Sequence, residues 1–210
     1  MPAAFAARAM YVPKYSEVPD PAAQREFIEA HPFGLLATSS GGLDVNQYPF
    51  LLDPDGKTLW THIARTNPQA AALKDGAPCL AVFTGPHAYI SPALYVKKLH
   101  VPTWNYTAVH VRCDASLVEG DGAIEEILKR TVAKFDDRWK YDLPAEFTAQ
   151  LRKAIVGVKL KVVAMEGKFK LSQNRDAEDY ASVLKDFEAR TDDNGRELAA
   201  YMRKNGPSRS

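Results

Sequence analysis

Apolar and polar positions divide the chain into short alternating runs and a few amphipathic ones. Asp20-Pro21 predicts a helix start, with Asp as N-cap and Pro at the first helical position. Ala23, Phe27 and Ala30 then share a face, and His31-Pro32 ends the run. Strand-like runs over 33–38, 45–52 and 57–63 are separated by Ser39-Ser40-Gly41-Gly42 and Asp53-Pro54-Asp55-Gly56, which predicts an antiparallel meander. Asn67-Pro68 caps a short helix over 69–74 that ends at Asp75-Gly76. A buried strand over 79–83 is broken by Gly85-Pro86. Tyr89-Ile90, bracketed by Pro86 and Pro92, reads as a short or edge strand.

Alternation resumes over 104–111. Trp104, Tyr106, Ala108 and His110 lie on one face, and Asn105, Thr107, Val109 and Val111 on the other. Ile124, Ile127, Leu128, Val132 and Phe135 recur at helical spacing over 120–135, where Glu125/Lys129 and Glu126/Arg130 add i,i+4 pairs. A second helix over 144–155 places Phe147, Leu151 and Ile155 on one side. A strand over 157–165 and a charged helical stretch over 176–203 follow. About six or seven short strands, with turns near every ten residues, predict a mainly β fold: an antiparallel barrel with peripheral helices. The expected organisation is a loose tail over 1–9, a barrel domain with inserted helices over 10–184, and a helical extension over 185–210.

Composition narrows the function. The chain has 210 residues, 46% of them hydrophobic and 25% charged, the profile of a globular protein rather than a disordered one. Its 27 Lys+Arg against 26 Asp+Glu give a net charge of +1, which excludes nucleic-acid binding by bulk electrostatics while leaving a local basic patch allowed. The apolar runs are too short for a membrane helix, and the first residues lack the charged and apolar regions of an export signal. Cys79 and Cys113 form neither a disulfide framework nor a zinc motif, and neither has a histidine or cation beside it. These features together predict a cytoplasmic protein.

Four polar clusters interrupt the apolar strands. Thr61–Pro68 (THIARTNP) joins a strand end to a helix start, where free N–H groups, the Arg65 fork, Thr66 and Asn67 suit a phosphate dianion. An ordinary turn capped by Asn67 is the simpler reading. Residues 85–95 (GPHAYISPALY) present tyrosine faces on a stiff backbone, which fits either a heterocycle or a rigid edge strand. Residues 101–111 (VPTWNYTAVHV) set Trp104 beside Asn105, matching a ring with carbonyl edges or a core Trp beside a solvated Asn. Residues 168–175 (KFKLSQNR) carry the densest set of donors: a surface loop, or an anion contact. Lys159, Lys161, Lys168 and Lys170 alternate as a possible nucleic-acid stripe with only Phe169 interleaved. His31, His62, His87, His100 and His110 fall in no metal-ligand motif, and no nucleophile, P-loop or dinucleotide fingerprint stands out. Any chemistry would come from a bound cofactor.

Taken together, MYVPKY (10–15), THIARTNP (61–68), FTGPHAYISP (83–92), VPTWNYTAVHV (101–111), IVG (155–157) and KFKLSQNR (168–175) resemble PaiB-type proteins. These are described as FMN-binding negative transcriptional regulators of the FMN-binding split-barrel group. The resemblance implies a homodimer that holds FMN between subunits. It implies that His62, Ile63, Ala64, Arg65 and Asn67 hold the ribityl phosphate, and that Gln47 and Pro49 run along the isoalloxazine edge. Trp104 and Asn105 would approach the ring, with Lys170, Gln173 and Arg175 closing the site, from the partner chain in one arrangement. The sequence departs from the family pattern at Gln47, where His is frequent, at Ala93-Leu94, where Ser-Trp is frequent, and near Cys113, where Gly is usual. The Ala93-Leu94 departure removes an aromatic wall. Flavin redox activity is compatible with the resemblance. So are two alternatives: haem binding, with His62, His87 or His110 as axial ligands, and direct DNA binding without flavin.

Overall fold

A computed structural model describes residues 9–40, 42–74, 76–97 and 99–207. The tail expected over 1–9 therefore lies, apart from Ala9, outside the described residues, as do Gly41 and Asp75 of the turn signals. The chain forms two compact units. One comprises residues 25–83 and 110–165; the other comprises 10–24, 84–109 and 166–207.

The first unit carries most of the sheet. β2 (Phe33–Thr38) pairs antiparallel with β3 (Asp44–Pro49), from Phe33 opposite Pro49 to Thr38 opposite Asp44. β4 (Leu51–Leu52) pairs with β5 (Thr58–Ala64), and β5 pairs along its whole length with β8 (Ile155–Lys170). With β6 (Ala77–Ile90) and β7 (Thr103–Val118), the strand order is β3-β2-β6-β7-β8-β5-β4. The two ends of this order, β3 and β4, are separated in sequence only by Phe50. The run expected as one strand over 45–52 thus bends at Phe50, whose N–H donates to Pro32 O at 2.8 Å. It leaves β2 for β5, and the sheet curls into a half-barrel around Phe50, Leu36, Leu59, Ile63 and Phe83. Phe50 and Phe83 meet edge to face at 5.3 Å. Gly34 is required in this core: a Cβ there would come within 2.8 Å of Val82 O and 2.9 Å of the Phe83 ring.

The strands are fewer in their breaks than the sequence suggests. β6 runs unbroken through Gly85-Pro86 to Ile90, because Pro86 lies beyond Val82, the last residue registered with β2, so its missing N–H interrupts no pairing on that side. β7 and β8 are each 16 residues long, so Lys168 and Lys170 end a strand instead of following it.

Helices differ from expectation mainly in the face they bury. α1 (Pro21–Ala30) starts with Asp20 Oδ1 accepting from Ala22 N at 2.9 Å, but buries Gln24, Phe27 and Ile28 while Ala30 is exposed. α2 (Gln69–Ala72) is a single turn. α3 (Asp121–Phe135) buries Ile124 and Ile127 and forms the expected Glu125–Lys129 pair; Arg130 instead reaches Asp53 at 2.6 Å. α4 (Ala145–Lys153) is inverted: Phe147 and Leu151 point outward, and Thr148 and Arg152 point inward. The reason is electrostatic, since Arg152 donates to Thr148 Oγ1 at 2.7 Å and faces Glu125 and Asp121 of α3.

In the second unit, β1 (Glu17–Val18) pairs with β8 through Lys168 and Gly167. α5 (Ala177–Glu188) and α6 (Asp193–Lys204) complete it, capped by Asp176 and Asp192.

Candidate functional site

In the first unit, β5 ends on the residues that the sequence marked for phosphate. Ile63 points into the core, Ala64 is exposed and His62 is half-buried, with burial holding its imidazole below the ordinary value. Arg65 is held rigidly. Its Nη1 and Nη2 donate to the two Glu119 carboxylate oxygens at 2.8 and 2.7 Å, while Nε and Nη2 also reach the carbonyls of Lys153 at 3.2 Å and Ile155 at 3.0 Å. Its backbone N–H donates to Ala154 O at 2.8 Å. The fork is oriented by backbone, and its anion-facing edge carries a bidentate carboxylate. The hydrogen bond to Glu119 raises the guanidinium's pKa and lowers that of the carboxyl.

Next to it lies a neutral network centred on Gln69, which the sequence reading overlooked. Gln69 is buried on the one-turn α2. Its Oε1 accepts from Tyr48 Oη at 2.8 Å and Asn46 Nδ2 at 3.0 Å, and its Nε2 donates to Leu36 O at 2.9 Å and Thr38 Oγ1 at 3.3 Å. Asn67 donates to Tyr48 Oη at 2.9 Å and accepts from Gln69 N at 2.9 Å. Burial raises the Tyr48 phenol's pKa, and the Asn67 bond partly offsets this. The first-turn donors are spent internally, because Asn67 N and Ala70 N bond to Ala64 O and Asn67 O. Anion recognition here falls to side chains, Arg65 above all. Gln47 is exposed on β3 opposite Leu35, and Pro49 is half-buried opposite Phe33.

In the second unit, the two faces of β7 are reversed from the simpler reading of its sequence. Asn105 is 0% exposed and Trp104 is 53% exposed. Trp104 stands between His87 and Tyr89, at ring separations of 6.3 and 6.0 Å. Lys170 Nζ donates to Trp104 O at 2.8 Å and to Thr103 Oγ1; desolvation, with the nearby Lys168 and Arg175 charges, lowers its pKa. Asn105 Oδ1 accepts from Ser172 Oγ at 3.1 Å, where Ser172 takes φ 65° and turns the chain after β8. Gln173 closes that turn by bonding Leu171 N and Phe169 O at 2.7 and 2.5 Å. Arg175 donates to His100 Nδ1 at 3.0 Å and stacks over Tyr95 at 4.8 Å. Asp179, 0% exposed, accepts from Val96 N at 2.7 Å and Lys97 N at 3.1 Å. Its second oxygen lies 2.7 Å from His100 Nε2 but off the hydrogen-bond axis, so that contact is electrostatic.

The predicted residues thus fall into two sets: His62, Arg65 and Asn67 with the Gln69 network in the first unit, and Trp104, Asn105, Lys170, Gln173 and Arg175 in the second. The lysine stripe does not form. Lys159 and Lys161 are exposed, whereas Lys168 is buried, donates to Tyr11 O at 2.9 Å and sits over Tyr11 and Tyr106.

Residues 10–164 match the family model described as "Putative FMN-binding domain". The chain is also 34% identical over 201 residues to the protease synthase and sporulation protein PAI 2 of Bacillus subtilis, covering 92% of this chain and 96% of that one. It belongs to the PaiB-type FMN-binding family. Its fold is that of the split-barrel flavoproteins. The flavocytochrome Anf3 from Azotobacter vinelandii aligns with a TM-score of 0.62 at 17% identity, covering 81% of this chain and 78% of that one. The FAD and heme binding protein from Mycobacterium smegmatis aligns at 0.57 and 14% identity, covering 80% and 79%. Membership makes FMN the cofactor. The donor set fits it: Glu119 already presents Arg65 with two anionic oxygens in the bidentate arrangement a phosphate also adopts. Among the described residues, no helix is long and apolar enough to cross a membrane.

Proposed function

We propose that this chain works as a cytoplasmic homodimeric flavoprotein in which Arg65 binds the FMN phosphate, replacing Glu119 as its anionic partner. The observation carrying this reading is the Arg65 fork, braced by the carbonyls of residues 153 and 155 with a carboxylate on its outer edge. His62 and Asn67 are neutral neighbours on the same strand end, and Gln69 fixes Asn67 in place. For the ring, the reading assigns Gln47 and Pro49 along the edge, with the exposed face of Trp104 and the Lys170 held on its carbonyl supplied by the partner chain of the dimer. Bound FMN supplies electron-transfer chemistry; the protein groups position it and exclude water.

Arg65→Ala is expected to weaken FMN binding about tenfold to a hundredfold, read by flavin fluorescence titration. Equal affinity in mutant and parent would remove Arg65 from the site. The visible spectrum of the purified protein, with and without added FMN, tests occupancy, and sedimentation tests dimerisation. A colourless monomer indifferent to FMN would overturn the proposal.

The family description as negative transcriptional regulators extends the proposal to gene control. With a net charge of +1 and the Lys168 cation buried, control through a metabolite or a protein partner is favoured over bulk DNA binding. A mobility shift at micromolar protein and moderate salt would reverse that preference.

A further inference from the structure

Both cysteines lie in the first unit and are not among the residues assigned to FMN. Cys79 on β6 and Cys113 on β7 are 7% and 2% exposed and share the buried face of neighbouring, hydrogen-bonded strands. Cys79 Sγ is 3.6 Å from Cys113 O. Facing residues on paired strands have Cα atoms about 4.5–5.5 Å apart, inside the span of about 4.4–6.8 Å that a disulfide bridges. Beside them opens a pocket of about 210 Å³ that reaches Cys79 between Ala37, Leu43, Pro78 and Leu80. None of the lining side chains is charged, and Leu43 at its rim is largely exposed. Such a pocket admits a small neutral apolar molecule and rejects an ion.

We propose that Cys79 and Cys113 form a redox site in which a small organic hydroperoxide enters this pocket and converts the dithiol to an intramolecular disulfide. The Cys79 sulfur attacks the terminal peroxide oxygen; the O–O bond breaks, the alcohol leaves with the thiol proton, and Cys79 becomes a sulfenic acid. The Cys113 sulfur then attacks the Cys79 sulfur. The S–O bond breaks, and hydroxide departs as water with the Cys113 proton. Two thiols lose two electrons and the hydroperoxide gains them; a thiol reductant of the glutathione class reverses the change. The geometry assigns the first step to Cys79, which lines the pocket, and the resolving step to Cys113 behind it. Consistent with this order, the hydrogen bond to Cys79, burial and the Asp114 charge all push the Cys113 thiol up.

The test treats the intact protein with tert-butyl hydroperoxide, alkylates it in denaturant and weighs it. The expected result is the loss of two hydrogens, protection of both thiols from alkylation, and restoration by dithiothreitol. In Cys113→Ser the reaction stops at a sulfenic acid on Cys79 that dimedone traps. In Cys79→Ser, Cys113 stays unmodified. Ala37→Phe, which fills the pocket, slows the reaction in a protein whose circular dichroism matches the parent. Full alkylation of both thiols after treatment, disulfides only between chains, or dimedone labelling of Cys113 in Cys79→Ser would each overturn the proposal.

Discussion

The Gln69 network and the Asp179 cluster solve the same problem with different chemistry. Each places one buried polar side chain where it holds loop backbone and neighbouring side chains together. Gln69 is neutral, and its side chain meets its needs with two donors from β3 and two acceptors from β2. Asp179 is charged, and its carboxylate is held by two backbone N–H groups with His100 and Arg175 arrayed beyond it. A neutral hub costs little to bury and is indifferent to pH, whereas a charged hub rigidifies its loop and makes it depend on protonation.

The sharpest way to break this comparison is Asp179→Ala, which strands the N–H groups of Val96 and Lys97 and uncouples His100. It is expected to lower Tm by about 10 °C, seen in calorimetry, and a smaller loss than at Gln69 would invert the ranking. Gln69→Leu removes the acceptor for the Tyr48 hydroxyl and the Asn46 amide and the side-chain donor to the Leu36 carbonyl. It should cost about 2–3 kcal/mol in urea unfolding, with no change in the pH dependence of stability.

That pH dependence separates the hubs further. Burial alone would raise the Asp179 carboxyl, yet the N–H groups of Lys97 and Val96 and the His100 contact hold it below its ordinary value. A depressed folded-state pKa gives stability that is present above the unfolded value, about 3.9, and lost as pH falls through the folded one. His62 is also depressed, by burial, so stability begins to fall below about 6.5. Unfolding followed by fluorescence from pH 8 to 2 should show these two windows; Asp179→Asn should shrink the lower one, to which the depressed carboxyls of Glu119, Glu125 and Asp176 also contribute, and leave the upper one unchanged. The smallest effect is expected at Glu119→Gln. Tm should move by no more than about 1–2 °C because the pair is exposed, while FMN binds a few-fold tighter as a competing carboxylate loses its charge. Weaker binding would mean that Glu119 helps hold the cofactor.

Much of this was legible in the sequence. The alternation of β7 was readable over residues 104–111, as were the turn chemistry between β4 and β5 and the cap of α1. The motifs around Arg65, Trp104 and Lys170 pointed to a family, and through it to FMN. What stayed hidden were choices between equivalent faces. Period-two alternation cannot say which face of β7 is buried, and Asn105 rather than Trp104 went inside because Ser172 offered its side chain a partner. α4 turned its apolar face outward because Arg152 found Glu125 and Asp121 on another helix. Gln69 gave no signal at all, since a lone glutamine after proline matches any exposed helix start.

The sequence by itself determined local quantities: where strands and helices begin, where turns fall, and which segments carry donors for an anion or faces for a ring. These depend on residues a few positions apart, whose steric and hydrogen-bonding preferences act within one turn or one hairpin. Tertiary structure alone decided which polar groups are paired and which apolar ones are covered. The bend at Phe50 that closes the barrel, the carboxylate on Arg65 and the meeting of Cys79 with Cys113 all join residues distant in sequence or pairing with different strands. Their energies come from burial and from partners that exist only once the sheet has closed.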